Sequence, residues 1–479
     1  MSLSEYYNES EDVVIEHGLR ISGTGLSIKR SGTTSFANGS KGYVCGGYGS
    51  SATSRVDVYD ESGNRTTGTS LSSNRYGCAS FVNGSKGYVC GGESNSGVAT
   101  VEIYDESGNK TTGVDLSSGR GSAETFVNNF KGYVCGGAGY LSSSYLIYDT
   151  VDVYDISGNR TTGTSLSHEK RGMCTFVNGS KGYVCGGDYD AYGMYYSTVD
   201  VYDSSGNRSS GTELSVARSN SASFTNISKG YVCGGNDYFG TVYSTVDIYN
   251  ESGNRTTGSP LSVGRTGSES FVNNGYGYVC GGSNGSSTCY STTDVYDSSS
   301  VLSTGTSLSV ARGGMTSFVN GRRGYLCGGS NGSRLSTVDI YYDTYETTYS
   351  ANIPITEGSV FNLNNQSGTA TESTIMSFDE KVTGTVKYKA GAVEVVGPYL
   401  VTAVFSGSPT DGAYLTISPS ERPLVGTEVS VQAHGLSNIT TTVTRSDGGT
   451  GTHNGGSHLY TFTMPENDVT ITMNCTVRP

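Results

Sequence analysis

The hydrophobic and polar positions of this chain alternate in short bursts, not in helical turns. Segments such as Val56-Asp57-Val58-Tyr59-Asp60 and Val199-Asp200-Val201-Tyr202-Asp203 swap apolar and acidic residues with period two, the mark of a half-buried strand. Others, such as Lys86-Gly87-Tyr88-Val89-Cys90, are brief apolar runs closed by paired glycines. No segment of the repeated part carries a helical period, and glycine with β-branched residues opposes helix there. The pattern predicts an all-β protein.

The bursts recur as a unit. The phrase Gly-Tyr-(Val/Leu)-Cys-Gly-Gly occurs seven times, with successive cysteines 45, 45, 50, 48, 47 and 47 residues apart. That period suits one four-stranded sheet per unit. Each unit opens at an Arg and runs through small residues to Phe and then Asn, at Asn38, Asn83, Asn128, Asn178, Asn226, Asn273 and Asn320. Asn tolerates positive φ and predicts a tight hairpin there. The second strand is the Gly-Tyr-Val-Cys-Gly-Gly phrase, whose glycines leave no side chain to clash where strands crowd near an axis. Val-Asp-Val-Tyr-Asp is the third strand, and Thr-Thr-Gly-Thr-Ser-Leu-Ser the exposed fourth. Only six copies of the fourth piece lie between the first and last units. The seventh is expected at the N-terminus, where Gly23-Thr24-Gly25-Leu26-Ser27 precedes Arg30. It would complete the last sheet beside Val338 to Tyr341 and close a ring without free edges. Thr347 to Ile353 is the rival for that place, and an open solenoid the rival architecture.

The paired glycines after an apolar strand, the Tyr-Asp after the next, and the opening Arg resemble the kelch repeat family over roughly residues 19–345. The resemblance implies a seven-bladed β-propeller. It departs from the family in the fourth strand, where Thr or Ser replaces the usual Trp. After the propeller, residues 346–404 read as a β-rich connecting region. Residues 405–479 carry strand signals such as Tyr460-Thr461-Phe462-Thr463 and Val469-Thr470-Ile471-Thr472. They resemble small Ig-like, sandwich-type β modules of bacterial surface and phage structural proteins. Residues 1–18 form an acidic, polar tail.

Composition narrows the function. Gly supplies 70 of 479 residues, but Pro only 8 and without a triplet period, which excludes collagen. No run approaches a membrane span, so no membrane insertion is expected. The 43 acidic against 30 basic residues give a net charge of −13 and no electrostatic reason to bind nucleic acid. The N-terminus lacks a signal-peptide pattern, so synthesis in a host cytoplasm is expected. Seven of the eleven cysteines sit in the repeated phrase and read as small buried apolar residues. No metal spacing appears among the cysteines or the five histidines, and no metal or cofactor is expected.

The start of each first strand and the end of each second strand share one face. That face is expected to carry Arg30, Arg75, Arg120, Arg171, Arg218, Arg265 and Arg312, either as an electropositive girdle at the channel mouth or as partners of Asp57, Glu102, Asp152, Asp200, Asp247, Asp294 and Asp339. The loops after the glycine pairs join it, rich in Tyr140, Tyr189, Tyr192, Tyr195 and Tyr238. Tyr with Ser, Gly and Asn makes rigid contact area with adaptable hydrogen bonding, the composition of a binding surface. Asp188 and Asp190 are the nearest approach to a glycosidase pair, on nonspecific spacing. The expected function is therefore a non-enzymatic adhesion protein, a bacteriophage tail or head fibre found in the virion. Its partners would be a host surface glycan or protein, other virion proteins, and further copies of itself. The alternatives are a cytoplasmic kelch adaptor for an acidic peptide and a carbohydrate-active propeller enzyme.

Overall fold

The structure is a computed structural model that describes residues 7–9, 13–141, 144–189 and 193–355 and, beyond these, the strands of the C-terminal part. It divides into two compact units, residues 16–344 and residues 1–15 with 345–479. The described residues contain strands and no helix.

Residues 16–344 form a seven-bladed β-propeller. The first blade has its strands at Thr34–Asn38, Lys41–Cys45, Val56–Asp60 and Arg65–Thr67, paired antiparallel in that order. The next five blades repeat this arrangement. The seven first strands are neighbours in an unbroken circuit, with Thr316–Asn320 of the last blade against Thr34–Asn38 of the first. The seventh blade takes its fourth strand from Val13–Ser22, which pairs with the strand beginning at Val338. Its bonds copy those elsewhere: Gly23 N donates to Val338 O at 2.8 Å, as Gly68 N donates to Val56 O at 2.9 Å in the first blade. The N-terminal segment therefore closes the ring, and Thr347 to Ile353 does not.

Blade-to-blade packing explains the repeated letters. The Phe of each first strand lies flat over the first Gly of the next blade's second strand. Phe36 stacks on Tyr43 at 4.8 Å, and a Cβ built on Gly87 would come within 2.1 Å of its ring. The same Phe-over-Gly contact recurs at all seven junctions, including Phe318 over Gly42. The third-strand tyrosines, such as Tyr104 donating to Thr69 O at 2.8 Å, reach back to the preceding blade, and Tyr59 reaches Thr24 O at 2.9 Å across the closure.

Two expected roles change. The strand-ending Asn does not itself supply the positive φ. The following residue does, as at Gly39 (φ 59°) and Ile227 (φ 56°). The Asn side chain instead bonds to the next blade, Asn38 Nδ2 donating to Ser85 O at 2.9 Å and Tyr104 O at 3.2 Å. The glycine pair also does more than avoid crowding. Gly46 and Gly47 both hold positive φ, 61° and 107°, and Gly47 N donates to Arg75 O of the next blade at 2.9 Å. The seven repeat cysteines are buried, and burial pushes every one of their thiols up, so they are inert core residues.

The C-terminal unit contains a three-stranded sheet ordered Val401–Gly407, Val469–Val477, Ile439–Arg445. A four-stranded sheet is ordered Tyr414–Ser418, Glu428–His434, Leu459–Thr463, Thr452–Asn454.

Candidate functional site

Six of the seven expected girdle arginines do not face the channel mouth. Arg30, Arg75, Arg120, Arg218, Arg265 and Arg312 are buried and paired with the third-strand acid of their own blade, Arg120 with Asp152 at 2.8 Å and Arg30 with Asp57 at 2.9 Å. The reason is solvation: a guanidinium beneath a loop layer needs an ionised partner. The acid also binds outward and backward. Asp57 takes Arg65 of the fourth strand at 2.8 Å and the Ser27 N–H of the preceding blade at 3.0 Å. At Glu102 and Asp200 burial alone would raise the carboxyl pKa. The cations Arg75 and Lys170, with hydrogen bonds from Ser72 and Ser167, outweigh it and hold both below the usual range.

The fourth blade is the exception. Lys170, fully buried, pairs with Asp200 at 2.9 Å and takes the place filled by Arg elsewhere. Arg171 is the next residue, and its backbone bridges Asp188 at the position held by Tyr76 and Ser219 in other blades. Its side chain is partly exposed, 3.3 Å from Asp188, bonded to the Tyr145 hydroxyl, and 5.5 Å over that ring. The signal was legible: each buried cation stands six residues before the first-strand Phe, and six before Phe176 is Lys170.

The loop face carries an aromatic arc. Tyr48 and Tyr76 meet edge-on at 5.3 Å, and Arg334 lies 4.9 Å over Tyr48. Hairpins Ala138–Leu141 with Ser144–Ile147 and Asp188–Tyr189 with Met194–Tyr195 extend the third and fourth blades. On them Tyr140 packs on Tyr145 at 5.0 Å, and Tyr195 lies 6.5 Å from Tyr238 of the fifth blade. Tyr140, Met194, Tyr238 and Phe239 are exposed, Phe239 by 89%. Tyr189 is half-buried in its hairpin, while Tyr192 and Asp190 lie outside the described residues. Sequence reading singled out neither Phe239 nor Tyr145 as a site residue.

Two features near the axis were not foreseen. The second first-strand residues form a closed, one-way ring of hydroxyl bonds. Ser80 Oγ donates to Ser35 O at 2.9 Å, Thr125 to Ser80 O at 2.6 Å, and so on to Ser35, which donates to Ser317 O at 2.7 Å. Beside it, a channel cavity of about 210 Å³ is lined by Glu124 and Glu269 among small polar residues. Burial, with Cys174 and the charge of Glu269 adding to it, pushes Glu124 up to about 8. Burial pushes Glu269 up to about 7, the Ser317 hydroxyl at 3.2 Å opposing it. The second feature is a larger cavity of about 690 Å³ over the fifth to seventh blades. Among the described residues no cluster of three His, Cys, Asp or Glu side chains is placed to hold a metal ion.

The fold and face define a seven-bladed β-propeller whose loop side is divided between aromatic and uncharged regions. No family model matches the chain, and no curated protein matches it. Among solved structures it is similar to YjhT, with a TM-score of 0.45 and 14% identity over 63% of this chain and 97% of that one. Nothing about chemistry transfers at that level of likeness.

Proposed function

We propose that this chain is a kelch-type, non-enzymatic adhesion protein of a bacteriophage virion, a tail or head fibre component. Its propeller loop face contacts a host surface glycan or protein. The C-terminal Ig-like module or the N-terminal tail docks to other virion proteins or to further copies of the chain. The observation that carries the reading is the exposed aromatic arc of Tyr140, Tyr238 and Phe239, with Met194 beside it, on adjoining blades of a rigid ring. Exposed aromatic area of this kind is characteristic of recognition surfaces. Many copies on one particle would multiply weak contacts into avidity. The cytoplasmic adaptor alternative has lost its stated surface, since six of the arginines it needed are buried in ion pairs. Retention of the purified chain on a panel of bacterial cells tests the proposal. The native chain is expected to bind at least one strain, and a Tyr140→Ser, Tyr238→Ser, Phe239→Ser variant of unchanged near-ultraviolet circular dichroism to lose most of that binding. Failure of the native chain on every strain refutes it.

A further inference from the structure

The cavity over the fifth to seventh blades has the chemistry of a particular ligand class. None of its lining residues is charged or aromatic. Part of its surface is bare backbone: a Cβ built at Gly267, Gly314 or Gly332 meets no atom within 4 Å. All three hold positive φ, 61°, 59° and 99°, so glycine there permits the turn and leaves open space beside the backbone. The Gly267 and Gly314 N–H groups are already committed, to Asn220 O at 3.1 Å and Gly267 O at 3.2 Å, which leaves carbonyl lone pairs to face a ligand. Its wall is a fixed polar network. Asn236 Oδ1 accepts from Thr266 Oγ1 at 2.8 Å and from Asn220 Nδ2 at 3.3 Å. With its single proton so committed, the Thr266 oxygen is left as an acceptor.

The volume lies within the ~300–1,000 Å³ range of small-ligand sites. A charged ligand would give up water here with no counter-charge in the lining to replace it. An apolar ligand would strip water from the remaining acceptor lone pairs of Thr266 and of the glycine carbonyls and put no donor in its place. A peptide draws specificity from side-chain pockets or a free strand edge, and this cavity is lined by neither. A neutral, hydroxyl-rich ligand meets none of these penalties. We infer that this cavity is a subsite for a short neutral saccharide, whose hydroxyls bond to the exposed backbone and to the Asn220–Asn236–Thr266 network. The inference rests on the carbohydrate branch of the function proposed above. No carboxylate lines the cavity, so the subsite binds without cleaving.

Saturation-transfer NMR on the full chain tests it, with maltotriose and the N-acetylglucosamine trimer as neutral probes. A galacturonic acid trimer is the charged probe and Gly-Ser-Gly-Ser-Gly the peptide probe. At least one neutral trimer is expected to give a signal. Ser286→Trp, on an exposed loop, fills the cavity and should abolish that signal. Asn236→Ala should weaken it at least fivefold, and the Tyr140, Tyr238, Phe239 variant should leave it intact. Silence from both neutral trimers, survival of the signal in Ser286→Trp with near-ultraviolet circular dichroism unchanged, or equal binding of the charged or peptide probe overturns the inference. The two readings fail separately: a native chain that no strain retains but that binds a neutral trimer refutes adhesion and upholds the subsite, whereas a native chain that cells retain but that is silent with both neutral trimers does the reverse.

Discussion

Replacing Gly87 by Ala tests the Phe-over-Gly junction by the sign of the effect. Gly87 holds no positive φ, so backbone entropy alone predicts that Ala stabilises, by about 0.4–1 kcal/mol. The structure predicts the opposite. The new methyl would stand 2.1, 2.5 and 2.8 Å from three ring atoms of Phe36. Ordinary carbon contacts lie near 3.5–4.0 Å, so the ring would have to retreat by about 1.5 Å. It has nowhere to go, with Tyr43 stacked on it at 4.8 Å and Tyr104 tilted against it at 6.0 Å. Overpacking of this kind costs about 1–3 kcal/mol, and the rigid aromatic trio places the loss at the upper end. Phe36→Ala alone should cost about 3–5 kcal/mol by leaving a cavity. In the double variant the methyl enters space the ring has vacated, so the combined loss should fall short of the sum by about 1–3 kcal/mol. Urea unfolding of the four proteins, followed by tyrosine circular dichroism, measures the cycle. A Gly87→Ala variant as stable as the native chain, or losses that simply add, refutes the junction as described.

Two further perturbations probe the buried charges. Glu124 and Glu269 are raised in the folded state, so the folded chain binds their protons more tightly. The stability they contribute is full below about pH 4.5 and is lost as pH rises towards about 7 for Glu269 and about 8 for Glu124. Glu124→Gln with Glu269→Gln should flatten melting temperature across that window, and an unchanged pH profile would refute the channel assignment. In the fourth blade, Lys170→Met should cost about 2–3 kcal/mol, because it removes one of the two cations on the buried Asp200 carboxylate and leaves Arg208 at 2.8 Å, while Arg171→Ala should cost about 1 kcal/mol or less. Urea midpoints that rank them the other way would refute the assignment of Lys170 to the structural position.

Sequence exposed the fold because the fold repeats. Seven copies of Gly-Tyr-Val-Cys-Gly-Gly and a stray Gly23-Thr24-Gly25-Leu26-Ser27 are enough to count blades and find the closing strand. At the arginines it offered two readings, since a cation before a strand can face water or an acid; six of the seven take the acid named for them, and the linear pattern alone does not say which reading holds. Arg171 shows how an extra basic residue beside Lys170 shifts the alignment by one. Glu124 and Glu269 were visible as acids where other units carry Thr34, Ala79 or Ala222, but that contrast gains meaning only once the first strands line a channel. The cavity over the last three blades could not be read from Ser, Gly and Asn, because it arises from space that short loops leave open.

The closing strand also has a consequence for assembly. Arg20 meets Asp339 across 319 residues of chain. At ribosomal speeds of about 5–20 residues per second, that partner emerges roughly 15–65 s after the leader does. Through this interval the leader has no sheet to join, and the inner edge of the first-made blade has no neighbour on that side. Completion is therefore a late event that turns a growing arc into a circle, and the nascent arc is the form most open to proteases and to mispairing with other chains.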